Sequence, residues 1–166
     1  MAAHVLVVAT VTATSDDLMA ALQERVARGP ADFLLVMPAT EPGLAGRHAV
    51  EPHLEEALAR WREAGLHAEG VAGPSNPVDA VSEVCSPGRF DEVIVSTLPG
   101  ATSRWIRSDV PYRIGHMTDL PVTHVVAMSM GKAKLPTPSE APKHEKAPLS
   151  MLNVMAYGGS RRSSSA

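Results

Sequence analysis

Between Ser96 and Asp109 the chain gathers groups that hold anions. Ser96, Thr97, Thr102 and Ser103 carry hydroxyls, and Arg104 and Arg107 follow directly. A hydroxyl can donate to a phosphate oxygen, and a guanidinium can clamp one with two parallel N–H groups. Gly100 lies in the same stretch, where a missing Cβ lets backbone N–H groups come close to a ligand. Ser103 is placed to open a helical turn whose free N–H groups favour negative charge. Thr10, far upstream, offers one further hydrogen bond. Ser108 and Asp109 close the set of candidate ligand-binding residues: Thr10, Ser96, Thr97, Gly100, Ser103, Arg104, Arg107, Ser108 and Asp109. The plainer reading of the two arginines is a solvated helical face. Trp105 reads as a packing or dimer-contact residue rather than a platform for a base.

Catalytic constellations are scarce. The sequence holds no nucleophile elbow, no paired catalytic carboxylates and no thiolate zinc cluster, since Cys85 is the one cysteine. The seven histidines have no metal-ligand spacing. His116 and Asp119 stand three apart at one helical end, and His124 lies in a strand. Such a pair could move a proton, but a surface capping pair is the commoner arrangement. Cys85, before Ser86-Pro87-Gly88, reads as a small buried apolar residue. The expectation is binding without catalysis, with no metal and no required cofactor.

The elements that must position these groups alternate along the chain. His4–Ala9 is a continuous apolar run, the pattern of a strand buried on both faces. Thr10–Thr14 is a polar loop, and Thr14 or Ser15 caps a helix with Asp16 and Asp17 in its first turn. Leu18, Leu22 and Val26 share one face of that helix, and Gly29-Pro30 stops it. Asp32–Met37 is the second strand, residues 38–48 a Pro/Gly-rich loop, and Pro52–Ala64 a helix that buries Leu54, Leu58 and Trp61. Leu66–Ala72 is a weaker strand. Asn76 caps a short helix with Pro77 at its first position. Glu92–Ser96 is the fourth strand, Thr102–Arg107 a helical turn, and Asp109 with Pro111 starts a helix to Met117. Pro121–Ala127 is the fifth strand. Strand and helix in strict alternation predict a parallel sheet covered on both faces.

Three stretches together resemble the universal stress protein family. They are GPSNPVDAVSEV (73–84), DEVIVSTLPGATSRWIRSDV (91–110) and DLPVTHVV (119–126). They are similar, in order, to that family's turn into its third helix, its fourth strand with the nucleotide loop, and the start of its last strand. The likeness spans residues 4–127. It implies an α/β fold of the Rossmann-like, adenine-nucleotide alpha-hydrolase-like type, with a five-stranded parallel sheet in the order 3-2-1-4-5 and helices on both faces. It also implies a homodimer through the last strand, Pro121 to Ala127, and ATP or AMP as candidate ligands. The ligand would sit where the strand order reverses, between strands one and four.

The family loop reads Gly-x2-Gly-x9-Gly-Ser/Thr. Counted back from Pro121, its four positions fall on Val95, Leu98, Ser108 and Asp109. Counted forward from the fourth strand, they fall on Ser96, Pro99, Asp109 and Val110. Neither register retains a glycine, and Gly100 fits only with an insertion. In both, Asp109 stands at the phosphate end, where two like charges ~4 Å apart cost roughly 4 kcal/mol at an effective dielectric near 20. Its alternative role is an N-cap before Pro111. The family's Asp after the first strand is replaced by Ala9-Thr10-Val11-Thr12. The implied protein is therefore a regulatory or interaction module with a degenerate ATP loop. The alternative is a sensor of a nucleotide or other phosphate ligand that uses an altered loop.

Bulk properties set the remaining limits. The 166 residues suit one domain, 1–128, and an extension, 129–166. Aromatics make up 4%, so aliphatic residues must build the core. Residues 1–128 hold nine Lys/Arg and sixteen Asp/Glu, whereas 129–166 hold six and two. An acidic body repels phosphate backbones and argues against nucleic acid as a partner. The basic, Pro/Ser-rich tail reads as flexible, with an apolar island at 149–157. The N-terminal apolar run is too short for a membrane span or a signal peptide. That leaves a cytoplasmic protein with no membrane partner.

Overall fold

Val5, Leu6, Val7 and Val8 are all fully buried, which only a strand covered on both faces achieves. They form β1 (Ala3–Val8), the central strand of a five-stranded sheet. The structure, a computed structural model, describes residues 1–100 and 103–128. Thr102 and the tail with its apolar island lie outside the described residues.

β1 is flanked by β2 (Ala31–Pro38) and β4 (Glu92–Thr97), with β3 (His67–Gly73) and β5 (Val122–Val126) at the edges. The order is β3-β2-β1-β4-β5 and each pairing is parallel. This is the expected 3-2-1-4-5 sheet. Pro121 O accepts from Val93 N at 2.9 Å and Thr97 O accepts from Ala127 N at 2.8 Å, so hydrogen bonding to β4 reaches one residue beyond each end of β5.

The period of two along β1 sorts the core. Val5 and Val7 point to one layer, with Leu18 and Leu22 of α1 (Asp16–Ala27) and Leu54, Leu58 and Trp61 of α2 (Leu44–Glu63). Leu6 and Val8 point to the other. There they meet Ala80 and Val81 of α3 (Pro77–Val84) and Val110 and Ile114 of α5 (Val110–Thr118). Between β4 and α5 runs the single turn α4 (Arg104–Arg107). Fully burying one such aliphatic side chain stabilises by about 1.5–3 kcal/mol.

The capping signals act as their residue types require. Ser15 Oγ accepts from Leu18 N at 3.1 Å, and Asn76 Oδ1 accepts from Val78 N at 2.9 Å. Three expectations need correction. α2 begins at Leu44, not Pro52. Gly43, at φ 90°, stands at the helix start, and Pro52 lies inside the helix, where it lacks the N–H that would bond one turn back. Val26, expected on the buried face of α1, is exposed in its last turn. The segment after β1 is not plain loop, because Val11–Thr14 forms a 3-10 turn.

Candidate functional site

A cleft of about 520 Å³ opens at the C-terminal ends of β1, β2 and β4. Strand order reverses between β1 and β4, so the two loops leaving them diverge and cannot fill the space above the sheet. The cleft's floor and walls come from Thr10 and Thr12 after β1, Ser96 and Thr97 at the end of β4, and Ser103, Arg104, Trp105, Ser108, Val110 and Arg113 beyond it. Pro38, Ala39, Thr40, Pro42 and the Ser75-Asn76-Pro77 turn close the far side.

Side chains of α2 hold the β1 loop in place. Trp61 Nε1 donates to Ala13 O at 3.1 Å, Arg60 Nη1 donates to Thr14 O at 2.6 Å, and His53 Nε2 donates to Thr10 O at 3.1 Å. A carbonyl only accepts, so His53 carries its hydrogen on Nε2. Arg60 also binds Asp16 at 2.6 Å. Thr12 Oγ1 donates to Ser96 O at 3.3 Å, which ties this loop to the end of β4.

The polar groups of the cleft differ in what remains free. Ser103 Oγ is occupied as the cap of α4, accepting from Ile106 N at 3.2 Å. Thr97 Oγ1 is 2.7 Å from His124 Nε2, a pairing brought about by the β4–β5 register. Partial burial pushes the His124 imidazole, which stays partly exposed on the edge strand, below its ordinary pKa and favours the neutral ring. Ser96 Oγ is buried and, among the described residues, has no hydrogen-bond partner. An unpaired buried hydroxyl costs about 1–3 kcal/mol, which sets Ser96 apart from the paired hydroxyls around it.

The charge of the lining is one-sided. It contains Arg104 and Arg113 and no Asp or Glu. Among the described residues, neither guanidinium has an ion-pair partner. The acidic body therefore carries a locally positive cleft.

Of the residues singled out from sequence, Thr10, Ser96, Thr97, Ser103, Arg104 and Ser108 meet at this cleft. Gly100, Arg107 and Asp109 do not line it. Gly100 O accepts from Ser103 N at 3.0 Å and so shapes the turn. Arg107, the last residue of α4, is exposed and does not line the cleft, whereas Arg113 from α5 does. Asp109 occupies the N-cap position of α5 but makes no side-chain cap bond. Its backbone is left-handed, at φ 52° and ψ 38°, and a capping side chain needs an extended backbone there. That left-handed conformation is one glycine adopts freely. Asp109 is exposed and sits on the rim, between the lining residues Ser108 and Val110.

Sequence reasoning missed Arg113, Thr12 and the Ser75-Asn76 turn. Arg113 lies four residues after Asp109, one helical turn into α5, so the spacing held a signal for it. Trp105 packs partly buried against the α3–α5 layer and also lines the cleft. His116 does not pair with Asp119 but stacks on Tyr112, with ring centroids 6.1 Å apart and planes 9° apart. Among the described residues no helix is long and apolar enough to cross a membrane.

No family model matches the chain, and no curated protein matches it. Among solved structures, the chain is similar to a universal stress protein crystallised in complex with cAMP. The two are 23% identical, with a TM-score of 0.53, over 76% of this chain and 98% of that one. The likeness shows that this chain has the universal stress protein fold.

Proposed function

We propose that this chain is a cytoplasmic, universal stress protein-like regulatory module that binds a phosphate-bearing nucleotide in the β1–β4 cleft. The observation that carries this reading is the lining itself. Two arginines with no ion-pair partner among the described residues, and no carboxylate, line one cavity at the switch point of the sheet. Cavities of this size take nucleotide-sized ligands. The structural neighbour's complex with cAMP supports the same class.

The nucleotide loop is degenerate in its glycines, and side chains take over the work of backbone N–H groups. Pro99 has no N–H to offer, and Ser96 carries a hydroxyl where the family has bare backbone. The module senses its ligand and does not turn it over. It acts as a homodimer through the exposed edge of β5.

Titration calorimetry with AMP, ATP and inorganic phosphate tests the reading. The wild-type protein should bind at least one adenine nucleotide in the micromolar range. The Arg104→Ala, Arg113→Ala double variant should weaken that binding by roughly tenfold or more, because each charge-assisted contact is strong. Ser96→Ala should weaken it less. No heat with any of the three ligands would leave only an interaction module that works through its surface.

A further inference from the structure

We infer that the cleft selects a nucleoside monophosphate over a triphosphate, an inference that rests on the nucleotide-binding reading above. Its positive charge is limited and comes from one side. Arg104 stands on α4 and Arg113 on the first turns of α5, and the rest of the lining is neutral. Two guanidinium groups match the charge of one terminal phosphate, about −1.5 to −2 near neutral pH.

Among the described residues, a longer phosphate chain finds little support in the same place. A polyphosphate is held by successive backbone N–H groups that approach closely, and these need glycine or at least free N–H groups. Here Pro99 supplies none, and Ser103 Oγ already accepts the Ile106 N–H. The path toward the N-terminus of α5 leads past Asp109. Its left-handed backbone holds an exposed carboxylate between Ser108 and Val110. One phosphate stays within reach of the arginines. A second and third would extend beyond them and approach a like charge.

The experiment measures affinities of AMP, ATP, adenosine and inorganic phosphate by calorimetry on the full chain, and repeats AMP and ATP on Asp109→Asn. Asparagine tolerates the left-handed backbone and removes only the charge. AMP should bind tighter than ATP by roughly tenfold, and tighter than adenosine or inorganic phosphate. The gap between AMP and ATP should narrow in Asp109→Asn. ATP binding as tightly as AMP would overturn the inference and leave the nucleotide-binding reading intact. Inorganic phosphate binding as tightly as AMP would overturn the assignment to a nucleoside ligand. Silence from all four would remove both readings, and a gap unchanged in Asp109→Asn would overturn the part given to its carboxylate.

Discussion

Individual side chains decide what the cleft can hold, and several carry measurable signatures. His124 is the clearest. It pairs with Thr97 at the cleft wall, and partial burial of the ring lowers its pKa. The unfolded chain then binds its proton more tightly than the folded one, so stability rises with pH across the gap between the two values. The contribution is complete above the ordinary value of 6.5 and is lost as pH falls through the lowered one. His124→Gln keeps a hydrogen-bonding partner for Thr97 and cannot titrate. Urea midpoints followed from about pH 7.5 to pH 5 should fall more for wild type than for His124→Gln, the other histidines cancelling in the comparison. Parallel curves would contradict this role. His124 itself was visible in the sequence as a strand residue. Its partner was not, because the contact joins positions 27 apart that only the sheet register aligns.

At the scale of elements, the approach of α2 to the β2 loop shapes the far wall of the cleft. Pro38, Ala39, Thr40 and Pro42 line it, and Gly46 lies just beyond them in the first turn of α2. A Cβ at Gly46 would stand 1.9 Å from Glu41 O and 2.7 Å from Glu41 C. Alanine is ordinarily worth about 1 kcal/mol more than glycine inside a helix. Here backbone must move to admit it, so Gly46→Ala should destabilise by about 1–3 kcal/mol and weaken ligand binding. Denaturant unfolding with nucleotide titration checks both, and a variant as stable as wild type would deny the close approach. The glycines of residues 38–48 read as loop signals, and Pro52 as a helix start. Neither local signal registers that packing of Val50, Leu54, Leu58 and Trp61 can carry a helix through a proline.

For the molecule as a whole, the sheet ends at β5 with Thr123 and His124 exposed. Among the described residues no strand pairs with its outer edge, whose N–H and C=O groups can take a second strand, and this motivates the proposed homodimer. Sedimentation at micromolar concentration should give a dimer. Thr123→Lys, which sets like charges against each other across that edge, should shift it toward monomer. A monomer in the wild type, or a dimer indifferent to the substitution, would remove β5 as the interface.

The alternation of apolar runs and amphipathic helices was readable along the chain because burial on two faces dictates composition residue by residue. The caps Ser15 and Asn76 and the hydroxyl-rich stretch after β4 were readable for the same local reason. Which groups share the cleft was decided in three dimensions. Arg113 enters and Arg107 does not, Ser96 Oγ has no partner among the described residues, and Asp109 turns left-handed beside the lining. Each depends on how helices far apart in sequence are rotated and docked on the sheet. Spacing within one element does not encode that orientation, since packing against the others sets it.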